Sequence, residues 1–289
     1  MDNAPLVVIA GPTASGKTSL AVELAKKFGG EIICADSRSI YKGMDIGTAK
    51  ATAEEMQSIP HWGLDLVEPG DYFTVFDFKT YANDKIEDIR SRGKVPFLVG
   101  GTGLYVDAVI FDYQFGTGVD VAKRTTLNNM SIEELYVYCS EKGIDLPENS
   151  KNKRYVIRAI EKHGGRESKR EKPVDNAIIV AILTDRDVLR SRIGKRVEQM
   201  FDDNVVNEAK MLGKKYGWTS EAMTSNIYPL IHAYLEDDTS LDEVKEKVAT
   251  LDWRLAKRQL TWLRRNHYIK WLDIEQSKEY ISDQLAKLA

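Results

Sequence analysis

The feature that most constrains the fold is a glycine-rich segment between an apolar run, residues 6–10, and a stretch with apolar residues at helical spacing, residues 18–28. The segment consists of Gly11, Pro12, Thr13, Ala14, Ser15, Gly16, Lys17 and Thr18. A strand, a glycine loop and a helix in this order predict that loop amides and the helix N-terminus surround phosphate oxygens. In such a loop Lys17 bridges phosphates and the Thr18 hydroxyl can hold Mg²⁺. The sequence therefore predicts phosphate binding by residues 11–18.

Further apolar runs predict more strands of the same sheet. Residues 31–35 end at Asp36, residues 95–99 end at Gly100, and residues 177–183 form a fourth run. Stretches with helical periodicity separate these runs, and buried strands that alternate with helices are typical of a parallel sheet. We therefore expect an α/β fold of the P-loop NTPase-like type, in which a parallel sheet is flanked by helices.

The middle of the chain has a different pattern, because no comparable apolar run occurs from residue 112 to residue 173. We expect these residues to form a small helical insertion domain within a catalytic core made of residues 1–111 and 174–289. The C-terminal part of the core is expected to be helical. The main helical stretches predicted by apolar spacing are 131–142, 152–163, 187–216 and 241–265.

The composition is that of a globular protein, with 43% hydrophobic and 29% charged residues. No apolar run approaches the roughly 20 residues needed to span a bilayer, and the first residues lack the basic segment of a secretory signal. Cys34 and Cys139 are the only cysteines, and neither has a Cys-x-x-Cys partner, so neither a disulfide framework nor a zinc site is indicated. We expect a cytoplasmic monomer that makes no membrane contact.

Positive charge is concentrated in two segments although the net charge is -3. Residues 151–172 are rich in lysine and arginine, and residues 253–270 contain no acidic residue before Lys270. The cations of the second segment are Arg254, Lys257, Arg258, Arg264, Arg265 and Lys270. A run of charge is as readily a solvated surface as a nucleic-acid interface. The charge pattern alone leaves both interpretations open.

Two polar residues follow the ends of predicted strands, where an open α/β sheet has its ligand crevice. Asp36 ends the second strand, and its carboxylate could accept a proton, cap a turn or support a Mg²⁺ site. Thr102 follows the third strand, and its hydroxyl could bond to a group that reacts between Asp36 and Lys17. No Walker-B aspartate follows that strand and no Asn-Lys-x-Asp motif occurs. The sequence therefore contains no recognisable apparatus for nucleotide hydrolysis.

Five ordered motifs make the chain resemble the tRNA dimethylallyltransferases. They are GPTASGKT at 11–18, DSRSIYKGMDIGTAK at 36–50, PHWGLDL at 60–66, VGGTGLY at 99–105 and AKRQLTWLRR at 256–265. The resemblance implies that the phosphate loop, with Mg²⁺ at Thr18, binds dimethylallyl pyrophosphate in place of a nucleoside triphosphate. It also implies transfer of the dimethylallyl group to N6 of the adenosine beside the anticodon of tRNA, with release of pyrophosphate.

The resemblance also implies roles for individual residues. Asp36 matches the general base for the adenine amine, and Thr102 matches its partner hydroxyl. Residues that match contacts to the anticodon stem-loop of tRNA are Asp36, Ser37, Arg38, Ser39, Arg154, Arg158, Lys257, Arg258, Gln259, Trp262 and Arg264. On this interpretation the basic C-terminal helix is an RNA-binding surface, and the interleaved Gln259 and Trp262 favour that interpretation.

The chain departs from the family pattern in two places. The insertion is short and lacks a recognisable Asp-Pro-x-x-Ala element, and Ile227-Tyr228-Pro229 stands where relatives commonly carry Gly-Tyr followed by arginine or lysine. A cation that contacts phosphate is thereby lost. Arg192 or Arg196 could replace it, unless both are simply exposed on an amphipathic helix. Two other functions stay open: a small-molecule kinase that uses ATP, and an RNA-binding relative that has lost catalysis.

Overall fold

The computed structural model describes residues 4–115, 121–163 and 168–287 of the protein. The chain forms two compact units: one combines residues up to Ile110 with those from Pro173 onward, and the other is Phe111–Lys172. The boundaries expected from the sequence each lie one residue away from these. Within the described ranges, no helix has both the length and the apolar character needed to cross a bilayer.

The first unit is built on a six-stranded sheet in which all neighbouring strands are parallel. Its strands are β1 (Leu6–Ala10), β2 (Gly30–Cys34), β3 (His61–Trp62), β4 (Val95–Gly100), β5 (Ala177–Ile182) and β6 (Lys270–Leu272). They are arranged in the order β3-β2-β4-β1-β5-β6. The four strands expected from apolar runs are present. The edge strands β3 and β6 were not expected, because two or three residues show no periodicity, and β6 corrects the prediction that the C-terminal part is wholly helical.

Twelve α-helices occur in the described residues. They are α1 (Lys17–Phe28), α2 (Ala53–Met56), α3 (Val75–Ser91), α4 (Gly103–Ile110), α5 (Val121–Asn129), α6 (Ile132–Glu141), α7 (Lys153–Lys162), α8 (Arg186–Asp202), α9 (Val205–Tyr216), α10 (Tyr228–Leu235), α11 (Leu241–Leu263) and α12 (Ile274–Ala286). A short 3₁₀ helix, Ala222–Thr224, precedes α10. Helices α5, α6 and α7 belong to the second unit.

The segment 187–216 was expected to be one helical stretch, but the structure divides it into α8 and α9. Asn204 lies between the two helices with φ of 70°, in the left-handed region. A left-handed residue ends the α-helical hydrogen-bond pattern, and asparagine tolerates that conformation better than most residues. The helical periodicity continues across the break because α8 and α9 each bury one apolar side. Periodicity alone therefore did not reveal the division.

The core of the first unit surrounds the central strand β1, all of whose residues are buried. Val7 lies beside Phe97 of β4 and Ile178 of β5, and helices α1 and α12 cover the apolar cluster that contains these three residues. Because every strand is parallel, the carboxyl ends share one edge of the sheet. There the Ala35 N–H donates to Val99 O at 2.8 Å, and the Thr102 N–H donates to Ala35 O at 3.2 Å. This edge brings together the segments after β1, β2 and β4.

The second unit is helical in the part that the structure describes. A separate apolar cluster joins its three helices, formed by Leu127, Leu135, Cys139, Val156, Ile157 and Ile160. Ser131 begins α6 with a capping box, in which its side chain and that of Glu134 each accept the other's backbone N–H. The unit therefore has its own core, as an insertion with independent packing requires.

Candidate active site

A cavity of about 1250 Å³ opens at the carboxyl edge of the sheet. Its lining includes the phosphate loop, the turn that begins at Asp36, residues 45–52, Thr102, and side chains from α8 and α11. Pockets for one drug-sized ligand usually measure about 300–1,000 Å³. The cavity is therefore large enough to hold more than one small ligand group beside the loop.

The phosphate loop lies between β1 and α1, in the order of strand, loop and helix expected from the sequence. Gly16 has φ of 87°, a left-handed conformation that glycine adopts without strain, and it directly precedes α1. The Lys17 ammonium donates to the carbonyl oxygen of Pro12 at 3.0 Å, so it folds back over the loop. Thr18, in the first turn of α1, lines the cavity. The loop thus presents a cation, a hydroxyl and a helix N-terminus to the same space.

The surroundings of Lys17 lower the pKa of its ammonium group. Burial lowers the pKa of the ammonium to about 8, and this effect outweighs the nearby Asp36 carboxylate, which raises it. Arg196 lowers the pKa further by charge repulsion. An anion bound in the loop would favour the charged form and raise the pKa again. Burial also raises the pKa of the neighbouring Cys34 thiol to about 12, so this cysteine stays protonated and unreactive at neutral pH.

Asp36 lines the cavity and also shapes its own turn. Its Oδ1 atom accepts the backbone N–H of Arg38 at 2.8 Å, which is the turn-capping role considered from the sequence. A carboxylate has a second oxygen and further lone pairs, so this bond does not exclude a reaction with a ligand. The role of Asp36 as a base stays a prediction.

Thr102 is linked to the same turn. Its Oγ1 accepts the backbone N–H of Ser37 at 3.0 Å and donates to Ser37 Oγ at 3.4 Å. Thr102 therefore connects the segment after β4 to the residue that follows Asp36. The hydroxyl holds the turn directly, an arrangement that the sequence did not predict.

Two arginines of α8 reach the phosphate loop. The Nη1 group of Arg192 donates to Ser15 O at 3.4 Å, and Nη1 of Arg196 donates to the Thr13 hydroxyl. Nη2 of Arg196 also donates to Thr48 O at 3.4 Å. The sequence raised these two arginines only as possible replacements for a missing cation. Their spacing of four residues was the relevant pattern, because it places both on one side of a helix.

Residues 45–47 of the cavity wall are held by a buried carboxylate. Glu208 of α9 accepts the backbone N–H groups of Asp45 at 2.9 Å, Ile46 at 2.7 Å and Gly47 at 2.8 Å. The Tyr228 hydroxyl donates to the same carboxylate at 2.8 Å. A Cβ atom on Gly47 would lie 2.7 Å from the Tyr228 ring, so this glycine allows the close packing.

The tyrosine of the atypical Ile227-Tyr228-Pro229 segment therefore has a structural role. Pro229 lies in the first turn of α10, where a missing N–H breaks no helical hydrogen bond. The proline is therefore compatible with the helix. Arg192 and Arg196 of α8 place positive charge at the phosphate loop, and their role as replacements for a family cation stays a prediction.

The basic helix α11 has two distinct sides near its C-terminus. Lys257, Arg258 and Arg264 are exposed, as an RNA-binding surface requires. Gln259 and Trp262 face the protein: Gln259 Oε1 accepts the Thr13 N–H at 2.8 Å, and Trp262 Nε1 donates to Asp107 Oδ2 at 2.7 Å. These two members of the predicted tRNA set help to dock the helix. The charged pattern could not distinguish them, because sequence does not show which side of α11 packs.

The remaining predicted contacts lie on two elements. Ser39 is largely buried but lines the cavity, and the Arg38 guanidinium donates to Glu221 O at 3.3 Å. Arg154 and Arg158 lie on α7 of the second unit, where Arg154 is exposed and Arg158 forms an ion pair with Glu161 at 3.5 Å. Their contact with tRNA stays a prediction.

The residues of the loop fit a metal that is held chiefly by its ligand. No cluster of three or more His, Cys, Asp or Glu side chains suited to a metal occurs in the described parts of the chain. Mg²⁺ commonly takes only one or two protein ligands and completes its shell with phosphate oxygens and water. Thr18, in the cavity beside Lys17, offers one such ligand. A Mg²⁺ ion bound together with a pyrophosphate is compatible with this donor set.

Comparison with known proteins gives consistent matches over nearly the whole chain. The profile of the IPP transferase family matches residues 39–266, and that of the isopentenyl transferases matches residues 4–65. The chain is 40% identical over 296 residues to a tRNA dimethylallyltransferase of Thermoanaerobacter sp. (strain X514), a match that covers 95% of this chain and 93% of that protein. It is 38% identical over 290 residues to the tRNA dimethylallyltransferase of Staphylococcus haemolyticus, with coverage of 93% and 87%.

A solved structure extends the similarity to three dimensions. The tRNA isopentenylpyrophosphate transferase from Bacillus halodurans superposes with a TM-score of 0.74 at 36% identity, covering 98% of this chain and 97% of that one. The similarity therefore includes the sheet, the phosphate loop and the insertion in one chain order.

Proposed function

This chain belongs to the IPP transferase family, and we propose that, as a tRNA dimethylallyltransferase, it transfers a dimethylallyl group from dimethylallyl pyrophosphate to the N6 amine of the adenosine beside the anticodon. The observation that carries this proposal is the shared cavity. The phosphate loop, Asp36 and Thr102 all line it, and α11 brings Arg258 to its wall. One space thus offers a pyrophosphate site, a proton acceptor and a cation of the basic helix.

Asp36 acts as the general base. The adenine N6 amine is a poor nucleophile because its lone pair is delocalised into the ring, so its proton must leave as the new bond forms. In the transfer, the C1–O bond of the donor breaks, the N6–C1 bond forms, and the N6 proton passes to the Asp36 carboxylate. Thr102 and the Arg38 N–H keep the Asp36 turn in place.

The protein's second task is to stabilise the departing pyrophosphate. Negative charge grows on its oxygens as the allylic C1–O bond breaks, and preorganised donors in a dry site favour that charge. Lys17, the loop amides, Arg192 and Arg196 are the donors that this chain offers. The Arg196 Nε atom is buried without a hydrogen-bond partner among the described residues, so it has unused donor capacity. Thr18 would hold Mg²⁺, which supplies further charge neutralisation on the pyrophosphate.

The target base must leave the stacked anticodon loop to reach Asp36, as enzymes that modify bases generally require. We propose that Asp36, Ser37, Arg38 and Ser39 contact the extruded base and its neighbours. The exposed cations of α11 contact phosphates of the anticodon stem-loop. Because tRNA is the substrate, we propose that the enzyme acts in the cytoplasm, and we retain the expectation of a monomer.

The test is an assay with purified protein, Mg²⁺, labelled dimethylallyl pyrophosphate and total tRNA. The proposal predicts label in tRNA on the adenosine beside the anticodon, identified by nuclease digestion and mass spectrometry. Transfer of label from γ-labelled ATP to a small molecule would support the kinase alternative instead. Binding of tRNA without a product in either assay would indicate an RNA-binding protein that has lost catalysis.

A further inference from the structure

Helix α11 makes a direct hydrogen bond to the phosphate loop. Gln259 Oε1 accepts the backbone N–H of Thr13 at 2.8 Å, and Thr13 is only 7% exposed. A buried backbone N–H that loses its partner is costly, and a loop can respond by changing shape. The Gln259 amide therefore satisfies a donor that lies within the loop itself.

The Gln259 side chain fits between two segments of the site. A Cβ atom on Gly101 would lie 2.4 Å from Gln259 Nε2 and 3.1 Å from Gly11 O, so only a glycine leaves room for the amide there. Gly101 immediately precedes Thr102, and Gly11 begins the phosphate loop. The amide thus contacts both the donor side and the acceptor side of the proposed reaction.

Thr13 is also held from a second direction. Its hydroxyl accepts a hydrogen bond from Arg196 of α8, while its N–H donates to Gln259 of α11. Helices α8 and α11 therefore both bond to one residue of the loop. Loss of the Gln259 bond would leave Thr13 tied to Arg196 alone.

The same helix is fixed a turn later by Trp262. A Cβ atom on Gly103 would lie 2.1 Å from the indole, so the ring packs directly on the backbone that starts α4. The indole N–H donates to Asp107, which is largely buried. This packing sets the position of α11, and Gln259 reaches the loop from that position.

We propose that Gln259 is a positioning residue for the pyrophosphate site, which acts by holding the Thr13 N–H and so the shape of the phosphate loop. This inference rests on the proposed function and assigns Gln259 to binding of the prenyl donor, where the resemblance to relatives assigned it to tRNA. If Gln259 contacts RNA directly, its loss should weaken RNA binding and leave donor binding unchanged. If it holds the phosphate loop, its loss should weaken donor binding and leave RNA binding unchanged.

The experiment measures dimethylallyl pyrophosphate binding to the enzyme without RNA, and binding of an anticodon stem-loop RNA without donor, by calorimetry. Gln259→Leu removes the acceptor at nearly constant volume, and Gln259→Asn keeps an amide that is one methylene too short to reach Thr13. Both variants are expected to bind the donor roughly three- to tenfold more weakly, as loss of one hydrogen bond allows. The RNA affinity should change less than twofold, and KM for the donor should rise more than kcat falls.

Thr261→Val serves as the control, because Thr261 is exposed on the same helix and its hydroxyl donates to Lys257 O within α11. Melting temperatures of all three variants identify any general loss of folding. Unchanged donor affinity in Gln259→Leu, or weaker RNA binding with normal donor binding, would overturn the inference. If the wild-type protein binds no dimethylallyl pyrophosphate at all, the proposed function fails instead, so the two failures are distinguishable.

Discussion

The hydroxyl of Tyr228 donates a hydrogen bond to the Glu208 carboxylate at 2.8 Å, and both side chains are buried. Burial and the adjacent Glu208 charge raise the pKa of Tyr228, so the phenol stays protonated and remains a donor. Among the described residues, no Lys, Arg or His side chain forms an ion pair with this carboxylate. Instead it is surrounded by N–H and O–H donors from residues 45–47 and Tyr228.

Substitutions of Tyr228 and Glu208 should lower the free energy of unfolding by different amounts. Tyr228→Phe removes one hydrogen bond and should lower the free energy of unfolding by about 1–2 kcal/mol. Glu208→Ala leaves four donors without an acceptor and should cost at least about 3 kcal/mol. Urea unfolding at constant pH measures both, with Glu246→Gln on the exposed side of α11 as control. Equal losses in the two variants would show that residues 45–47 find other acceptors.

The pKa of Lys17 predicts a pH dependence of donor binding. Since burial lowers that pKa to about 8 in the free protein, Lys17 is charged below this pH and neutral above it. Bound pyrophosphate favours the charged form of Lys17. The affinity for dimethylallyl pyrophosphate is therefore highest below about pH 8 and falls as the pH rises above this value. Between pH 7 and pH 9 the dissociation constant of dimethylallyl pyrophosphate should increase about tenfold.

The control for this prediction is Lys17→Arg, because arginine stays charged throughout the range. The pH dependence of donor binding by this variant reports the ionisation of the ligand alone. It should be much weaker than that of the wild-type protein. Identical pH profiles for the two proteins would mean that Lys17 does not titrate in this range. Lys17→Ala should weaken donor binding at every pH while leaving the fold intact.

The exposed cations of α11 predict salt-dependent RNA binding. Neutralising Lys257, Arg258 and Arg264 together should weaken binding of the anticodon stem-loop, because the variant pairs with fewer phosphates and so releases fewer counterions. The slope of log K against log salt should become less steep by roughly 0.7–0.9 for each phosphate that the variant no longer neutralises. Filter binding from 50 to 200 mM salt, about a fourfold range, is sufficient to measure this slope.

A charge-matched triple variant on α1 and at the end of α12 provides the comparison. It replaces three exposed residues, Lys26, Lys27 and Lys287, by glutamine. This variant should retain the wild-type slope. If both triple variants show the same reduction in slope, the effect is one of net charge and α11 has no special role.

Thr102 predicts an effect on chemistry rather than on binding. Its hydroxyl is bonded to the backbone N–H and side chain of Ser37, so Thr102→Val leaves the Ser37 N–H, in the turn that follows Asp36, without this acceptor. The single-turnover rate should fall by roughly tenfold, and Thr102→Ser should restore most of it. A serine variant as slow as the valine variant would show that the hydroxyl alone does not account for the role of Thr102.

The features that were predictable from sequence are those set by local patterns. The phosphate loop and four strands followed from glycine spacing and apolar runs, because a strand buried on both faces must be continuously apolar. The break at Asn204 was not predictable, since asparagine occurs in helices as well as in left-handed turns. Strand β6 was not predicted because three residues are too few to show a hydrophobic periodicity.

The site was predictable as a set of segments but not as a set of contacts. Parallel strands bring their carboxyl ends to one edge, so the grouping of Asp36 with Thr102 followed from topology. The inward direction of Gln259 depends on how α11 docks. The sequence signal for this docking was the pair Gly101 and Gly103 on either side of Thr102, because glycine lets another element approach the backbone closely.

In the proposed reaction, Asp36 accepts the proton from the adenine amine while the C–N bond forms. Asp36→Asn keeps the size of the side chain and an oxygen that can accept the Arg38 N–H, but it removes the basic carboxylate. Asp203→Asn is the control, since Asp203 also lines the cavity but lies at the end of α8.

The decisive measurement is a single-turnover assay of Asp36→Asn with donor and tRNA both saturating, repeated across a series of Mg²⁺ concentrations. If Asp36 is the base, the rate should lie about 10²–10⁴-fold below the wild type, the affinities for both substrates should change far less, and high Mg²⁺ should not restore the rate. Recovery of the rate as Mg²⁺ rises would show that Asp36 supports the metal, and would contradict its assignment as the base.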